Sequence, residues 1–202
     1  MLCAGCGAVQ PPDPSADYFH VFGLPREFEV DLAGLEQRYK EMTKILHPDR
    51  FARADSRARR ASLERSVQLN VAWRTLSQPV PRAEYLLSLE GIDVGEAASS
   101  NRSDPAGNRA TQPVATELLV EVMELREALA EARARGESAK VAELTAGVQA
   151  RHDKEMAEVA ACFAAKPPNF PAAAAHLVAA RYYRRFIEEA QVQPDREDAA
   201  AK

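Results

Sequence analysis

Apolar residues return at alternating steps of three and four along most of this chain, and no other feature limits its fold so severely. Between Asp31 and Pro48 they fall at Leu32, Leu35, Tyr39, Met42 and Leu46. That spacing puts one stripe of an α-helix against a partner helix. Asp31 reads as the N-cap. The helix must stop at His47, because the ring of Pro48 disfavours the α region for the residue before it. A second helix starts near Ser56 and carries Leu69, Ala72, Trp73 and Leu76. With a loop of about ten residues between them, the two stripes predict an antiparallel pair. A short apolar turn, residues 18–22, precedes the pair and is closed by Gly23 and Pro25. A further short helix over 81–90 has Pro81 at its start and Gly91 after its end.

The second half repeats the period without repeating the sequence. Helices are expected over about 115–134, 137–164 and from the Pro167, Pro168 and Pro171 cluster to about 190, which makes an antiparallel three-helix bundle. Their core stripes are Leu118, Val122, Leu125 and Leu129; Val141, Leu144, Val148, Val159 and Phe163; and His176, Ala180, Tyr183 and Ile187. Only 9 glycines and 7 phenylalanines among 202 residues agree with an all-α fold rather than a sheet sandwich. The expected organisation is an N-terminal segment 1–15, a first helical domain 16–92, a linker 93–114, a three-helix bundle 115–191 and a flexible tail 192–202. The linker is rich in Gly, Ser, Asn, Asp and Pro and shows no apolar period.

Charge and cysteine content remove several function classes. Residues 16–92 hold 12 basic and 11 acidic side chains, and residues 115–202 hold 12 and 15. The whole chain is at −4, which argues against a basic nucleic-acid binder. The run Arg50, Arg53, Arg57, Arg59, Arg60 and Arg65 has no interleaved aromatic residues along its helix, Phe51 standing in the loop before it, and is broken by Asp55 and Glu64, so it reads as a solvated helix face. No stretch approaches the roughly 18 apolar residues of a membrane span. Residues 1–15 contain no Lys or Arg, so no secretory or organelle leader is visible. Three cysteines cannot make a disulfide scaffold. The expectation is a cytoplasmic monomer without enzymatic activity. His20 and His176 have no acid or nucleophile at motif spacing, His152 reads as a packed or boundary histidine, and Cys162 as a small buried thiol.

Two places carry recognition chemistry. In His47-Pro48-Asp49 the proline stiffens the turn, so His47 and Asp49 reach a partner at low entropic cost. Asp49 can accept from a partner arginine, and Arg38, Lys40 and Lys44 would add a basic face that steers an acidic surface. The plainer reading makes His47 a helix C-terminal residue and Asp49 a turn former. The second place is the helix over 115–134. At about 100° per residue, Leu119, Val120 and Met123 fall away from its core stripe and are bordered by Glu124 and Glu127. An apolar patch rimmed by carboxylates is a candidate binding surface. Packing of the first domain over it is the plainer alternative.

An antiparallel helix pair with His-Pro-Asp at its tip resembles a J-domain, the module that stimulates ATPase chaperones of the heat-shock class. The strings DYFHVFGLP at 17–25 and PRAEYLLSLEG at 81–91 are similar to those of the HscB type, co-chaperones of iron–sulfur cluster assembly. The resemblance extends to LLVEVMELREAL at 118–129, which is similar to the segment that contacts the IscU-type scaffold. Carried over by position, it implies chaperone contacts at His47, Pro48, Asp49, Arg38, Lys40 and Lys44. It implies scaffold contacts at Leu119, Val120, Met123, Glu124, Glu127 and Tyr182. Leu46 stands where J-domains usually have an aromatic residue, and Tyr182 where the family usually has Phe. Tyr182 is expected to project away from its own core stripe.

Cys3-Ala-Gly-Cys6 can supply half of a zinc site. Longer HscB variants carry two such pairs, the second followed by a stretch like Val9-Gln10-Pro11-Pro12-Asp13-Pro14. Cys3 and Cys6 therefore resemble the second pair, with the first either upstream of Met1 or lost in this member. As written, a lone pair leaves the cysteines free of metal, and no other cofactor is expected. The resemblance implies stimulation of an HscA/DnaK-class ATPase and delivery of an IscU-type scaffold for cluster transfer. The alternatives are a general J-protein for unfolded clients and a regulator acting through zinc or thiols at Cys3 and Cys6.

Overall fold

A computed structural model describes residue 5 and residues 8–94, 110–111 and 115–192. In chain order these contain α1 (Tyr18–Phe22), α2 (Leu32–Leu46), a 3-10 turn at Pro48–Phe51, α3 (Ser56–Ser77), α4 (Pro79–Leu89), β1 (Ile92–Asp93), β2 (Ala110–Thr111), α5 (Thr116–Ala134), α6 (Ser138–Ala164) and α7 (Phe170–Gln191). The fold is all-α apart from the two short strands, which pair in parallel at Ile92 with Ala110 and Asp93 with Thr111. That pairing falls at the ends of the segment expected to be a plain linker; residues 95–109 lie outside the described residues. The chain divides between Leu86 and Leu87 into two units. That division falls within α4, and Leu87–Val94 goes with the second unit, where Arg181 of α7 donates to the Val94 carbonyl.

In the first unit, local chemistry sets each helix end. Asp17 accepts from His20 N at 2.7 Å to start α1, and Gly23 closes it at φ 63°, a left-handed position that glycine fills without strain. Asp31 accepts from Gly34 N at 3.1 Å to start α2. His47 takes φ −55° and ψ 128°, the extended form required before proline, and α2 ends there. Asp55 caps α3 by accepting from Ala58 N at 2.7 Å. The pairing of α2 with α3 is antiparallel. Tyr39 stacks on Trp73 at 4.8 Å and donates to Asn70, whereas Leu46 meets Ser62. Leu35, Leu46, Leu69, Ala72 and Leu76 are buried, with Phe19 and Phe22 of α1 beside them. Leu32 departs from its expected stripe and is exposed. A helical side chain leans back over the preceding turn, and the first residue of α2 has none to cover.

One member of the arginine run departs from the solvated-face expectation. Arg65 is buried and its guanidinium donates to the carbonyls of Gln10 at 2.9 Å and Pro11 at 2.7 Å. It binds the N-terminal segment to α3 across more than fifty residues of sequence. Arg82 is likewise buried, donating to Leu76 O at 2.6 Å with its cation 5.1 Å from the Phe28 ring centre.

In the second unit, α5, α6 and α7 form an up-down-up bundle around Val122, Leu129, Val148, Tyr183, Phe186 and Ile187. Gly136, at φ 69°, turns α5 into α6, and Asn169 caps α7 by accepting from Ala172 N at 3.2 Å. Replacing Arg65 by Ala leaves two carbonyls without their donor. The expected cost is about 1–3 kcal/mol, read as a lower urea midpoint together with faster proteolysis around residues 8–16. An unchanged midpoint would mean that water replaces the guanidinium freely.

Candidate functional site

The end of α2 builds the first site. Its last carbonyl, on Leu46, would be orphaned by the helix stop, and it accepts instead from Ser62 Oγ at 2.8 Å and Ser66 Oγ at 3.1 Å. With that end fixed on α3, His47, Pro48 and Asp49 stand exposed beyond it. His47 Nδ1 accepts from Asp49 N at 3.3 Å and lies 3.5 Å from Asp49 Oδ2. The two side chains are therefore mutually oriented while Asp49 keeps most of its surface for a partner.

The three expected basic residues do not form one face. Lys40 and Lys44 are exposed on the same side of α2, with Lys40 paired to Glu36 at 2.6 Å. Arg38 lies about 200° around the helix from Lys40. Its Nη1 donates to Phe22 O at 2.7 Å and Gly23 O at 3.2 Å, holding the end of α1 against α2. Its role in the fold is that of a strut, and the positive charge on the tripeptide side of α2 comes from Lys40 and Lys44, with the exposed Arg50 directly after Asp49.

The second site is on α5. Val122 and Leu129 are buried and Leu118 and Leu125 pack half-buried beside them, as the core stripe requires. On the other side Leu119, Val120 and Met123 remain 38%, 50% and 69% exposed. Glu124 and Glu127 are exposed next to them. Tyr182 corrects the expectation that it points away from the core. It is half-buried and packs against the bundle cluster, because Phe186, one turn on, widens the buried face of α7 toward it.

Sequence spacing does not reveal the polar contacts that hold this bundle. Tyr183 Oη donates to Glu121 Oε2 at 2.9 Å, and Arg151 Nε lies 3.1 Å from Glu121 Oε1. One α5 carboxylate thus joins both other helices. His176, which has no acid at motif spacing, has its Nδ1 2.6 Å from Glu155 Oε2 on the neighbouring helix. Both partners come from another helix, so no local spacing announces them. His152 is a boundary residue 3.0 Å from Asp153, and Cys162 is half-buried, with burial and then Glu158 raising its thiol pKa. Cys3 and Cys6 lie outside the described residues. A second exposed apolar row, Leu63, Val67 and Val71 on α3, is not expected from the sequence pattern.

Over 189 residues this chain is 31% identical to the iron–sulfur cluster co-chaperone protein HscB of Mus musculus, covering 94% of this chain and 74% of that protein. The chain belongs to the HscB co-chaperone family. Homo sapiens HscB is 32% identical over 96% of this chain and 75% of its own length. The crystal structure of human HscB superposes with a TM-score of 0.78, covering 94% of this chain and 88% of that one at 32% identity. HscB from Vibrio cholerae gives 0.71 at 30% identity, covering 87% and 96%. Residues 114–191 match the family model described as the HSCB C-terminal oligomerisation domain. The first unit is accordingly the J-domain of an HscB-type co-chaperone and the second its C-terminal bundle. Among the described residues no helix is long and apolar enough to cross a membrane.

Burial first, then the hydrogen bond and charge of Glu121, push the Tyr183 hydroxyl from 10.0 up to about 12. The unfolded chain loses this proton near 10.0 while the folded chain keeps it to about 12. Its contribution to stability is therefore whole below that lower pH and lost as pH rises toward the upper one. Urea unfolding at successive alkaline pH values should show this decline, and Tyr183→Phe should flatten it. Equal slopes in the two proteins would contradict the assigned environment.

Proposed function

We propose that this HscB-type protein docks on an HscA/DnaK-class ATPase chaperone through His47, Pro48 and Asp49, with Lys40 and Lys44 steering the approach. It accelerates ATP hydrolysis there and brings an IscU-type scaffold, held on α5, to the chaperone for cluster transfer. The observation that carries this reading is the uncovered apolar face of Leu119, Val120 and Met123, rimmed by Glu124 and Glu127, in the same chain as an exposed His-Pro-Asp turn. Tyr182 adds a ring whose hydroxyl can meet a polar group of the scaffold.

The chemistry needs no catalytic group in this chain. The exposed tripeptide offers a carboxylate and an imidazole on a proline-stiffened turn, so little conformational freedom is lost on docking. The α5 patch offers apolar area to a folded surface, and its carboxylates favour a basic rim on the partner. Carrying both modules on one chain raises the local concentration of scaffold at the chaperone without new contacts. Docking and delivery use no metal, so Cys3→Ser with Cys6→Ser should leave both unchanged.

Steady-state ATPase of the cognate chaperone, with and without this protein and the scaffold, tests the reading. His47→Gln should abolish stimulation while leaving scaffold binding intact. Joint Ala replacement at Leu119, Val120 and Met123 should weaken scaffold binding by about 100-fold. It should leave the helical circular dichroism and the scaffold-independent stimulation as they were, since all three side chains are exposed. Scaffold binding that survives the triple replacement would remove α5 as the site.

A further inference from the structure

We propose that Glu121 is a positioning residue for the apolar face of α5, holding the helix at the roll that keeps Leu119 and Met123 out of the bundle core. The proposal rests on reading that face as the scaffold site, and its consequences for side-chain exposure can be measured without the scaffold.

The half of α5 that carries the face is thinly anchored. Its buried residues are Val122, Leu129 and Ala132, and only Val122 lies among Leu119, Val120 and Met123. The later half has additional ties, with Arg126 3.1 Å from Glu189 and Arg133 donating to the carbonyls of Glu189, Ala190 and Val192. For the earlier half the corresponding polar tie is Glu121, shared between Tyr183 at 2.9 Å and Arg151 at 3.1 Å.

The direction of that tie matters. Taking Val122 as the inward direction and about 100° per residue, Glu121 lies on one flank of α5. Leu119 and Met123 lie on the opposite flank. A roll that releases Glu121 into solvent turns Leu119 and Met123 toward the core. The same roll carries Leu118 and Leu125, which pack half-buried on the Glu121 flank, out of the core, so burial of apolar area does not by itself fix the roll. The Glu121 carboxylate does, because leaving Tyr183 Oη without its acceptor in a buried position is costly. The same hydrogen bond joins residues adjacent in sequence to Val120 and to Tyr182. It thereby registers the α5 part of the face against the α7 part.

The test compares Glu121→Leu, which removes the acceptor, with Glu121→Gln, which keeps an oxygen for Tyr183. Peroxide oxidation of Met123, followed by peptide mass, reads its exposure directly. In Glu121→Leu oxidation of Met123 should slow by about threefold or more, and affinity for an IscU-type scaffold should fall by about tenfold. Glu121→Gln should restore both. General loosening of the bundle would speed oxidation instead, so an unchanged or faster rate at Met123 in Glu121→Leu overturns the proposal. Unchanged scaffold affinity in Glu121→Leu, beside loss of binding in the triple Ala variant, overturns it too and leaves the scaffold site standing. If the triple Ala variant still binds, the site assignment falls, while the oxidation result continues to judge the role of Glu121.

Discussion

A single carbonyl organises the J-domain. Pro48 forbids α2 to continue through His47, and the stop leaves the Leu46 carbonyl at the end of an apolar helix. Ser62 and Ser66 of α3 both donate to it. That arrangement satisfies a buried acceptor, sets the depth at which α2 lies along α3, and pushes the following tripeptide outward. The proline that terminates the helix is also the one that stiffens the turn, so folding and presentation of His47 and Asp49 share one steric cause.

The C-terminal bundle solves a different problem. A helix with apolar residues on two sides normally buries both or associates through one. Here α5 turns Val122 and Leu129 inward and leaves Leu119, Val120 and Met123 to water. The core stripe accounts for the inward side. Polar contacts with α6 and α7 hold the roll of α5, through Glu121 in the earlier half and Arg126 and Arg133 in the later half. Stability and the proposed recognition are thus divided between flanks of one helix, and on that proposal the division depends on a carboxylate bound by two neighbours.

Much of this architecture is legible in the residue pattern. Asp31, Gly23, Gly136 and the residue before Pro48 mark helix ends through chemistry that acts within a few residues. The patch on α5 is legible too, because helical period alone separates residues 119, 120 and 123 from the stripe of 118, 122, 125 and 129. Arg65 is not. Its carbonyl partners on Gln10 and Pro11 lie more than fifty residues away, and an arginine in a basic run looks solvated until they are placed. Arg38 escapes for the same reason, since its partners at Phe22 and Gly23 come from the end of another helix. Tyr182 departs from its expected place because the buried face of α7, covered on several sides, is wider than one stripe.

The helices, their ends, the His-Pro-Asp turn and the two-faced character of α5 are written in the order of residues alone, because all of them follow from backbone sterics and a period of about 3.6 residues. Which charges serve the fold was settled by how the helices pack. That packing committed Arg38 and Arg65 to backbone carbonyls, gave His176 an acid, and placed Glu121 between Tyr183 and Arg151. Those outcomes depend on which helices meet and at what roll, and a hydrogen bond between distant residues leaves no mark in the spacing of either.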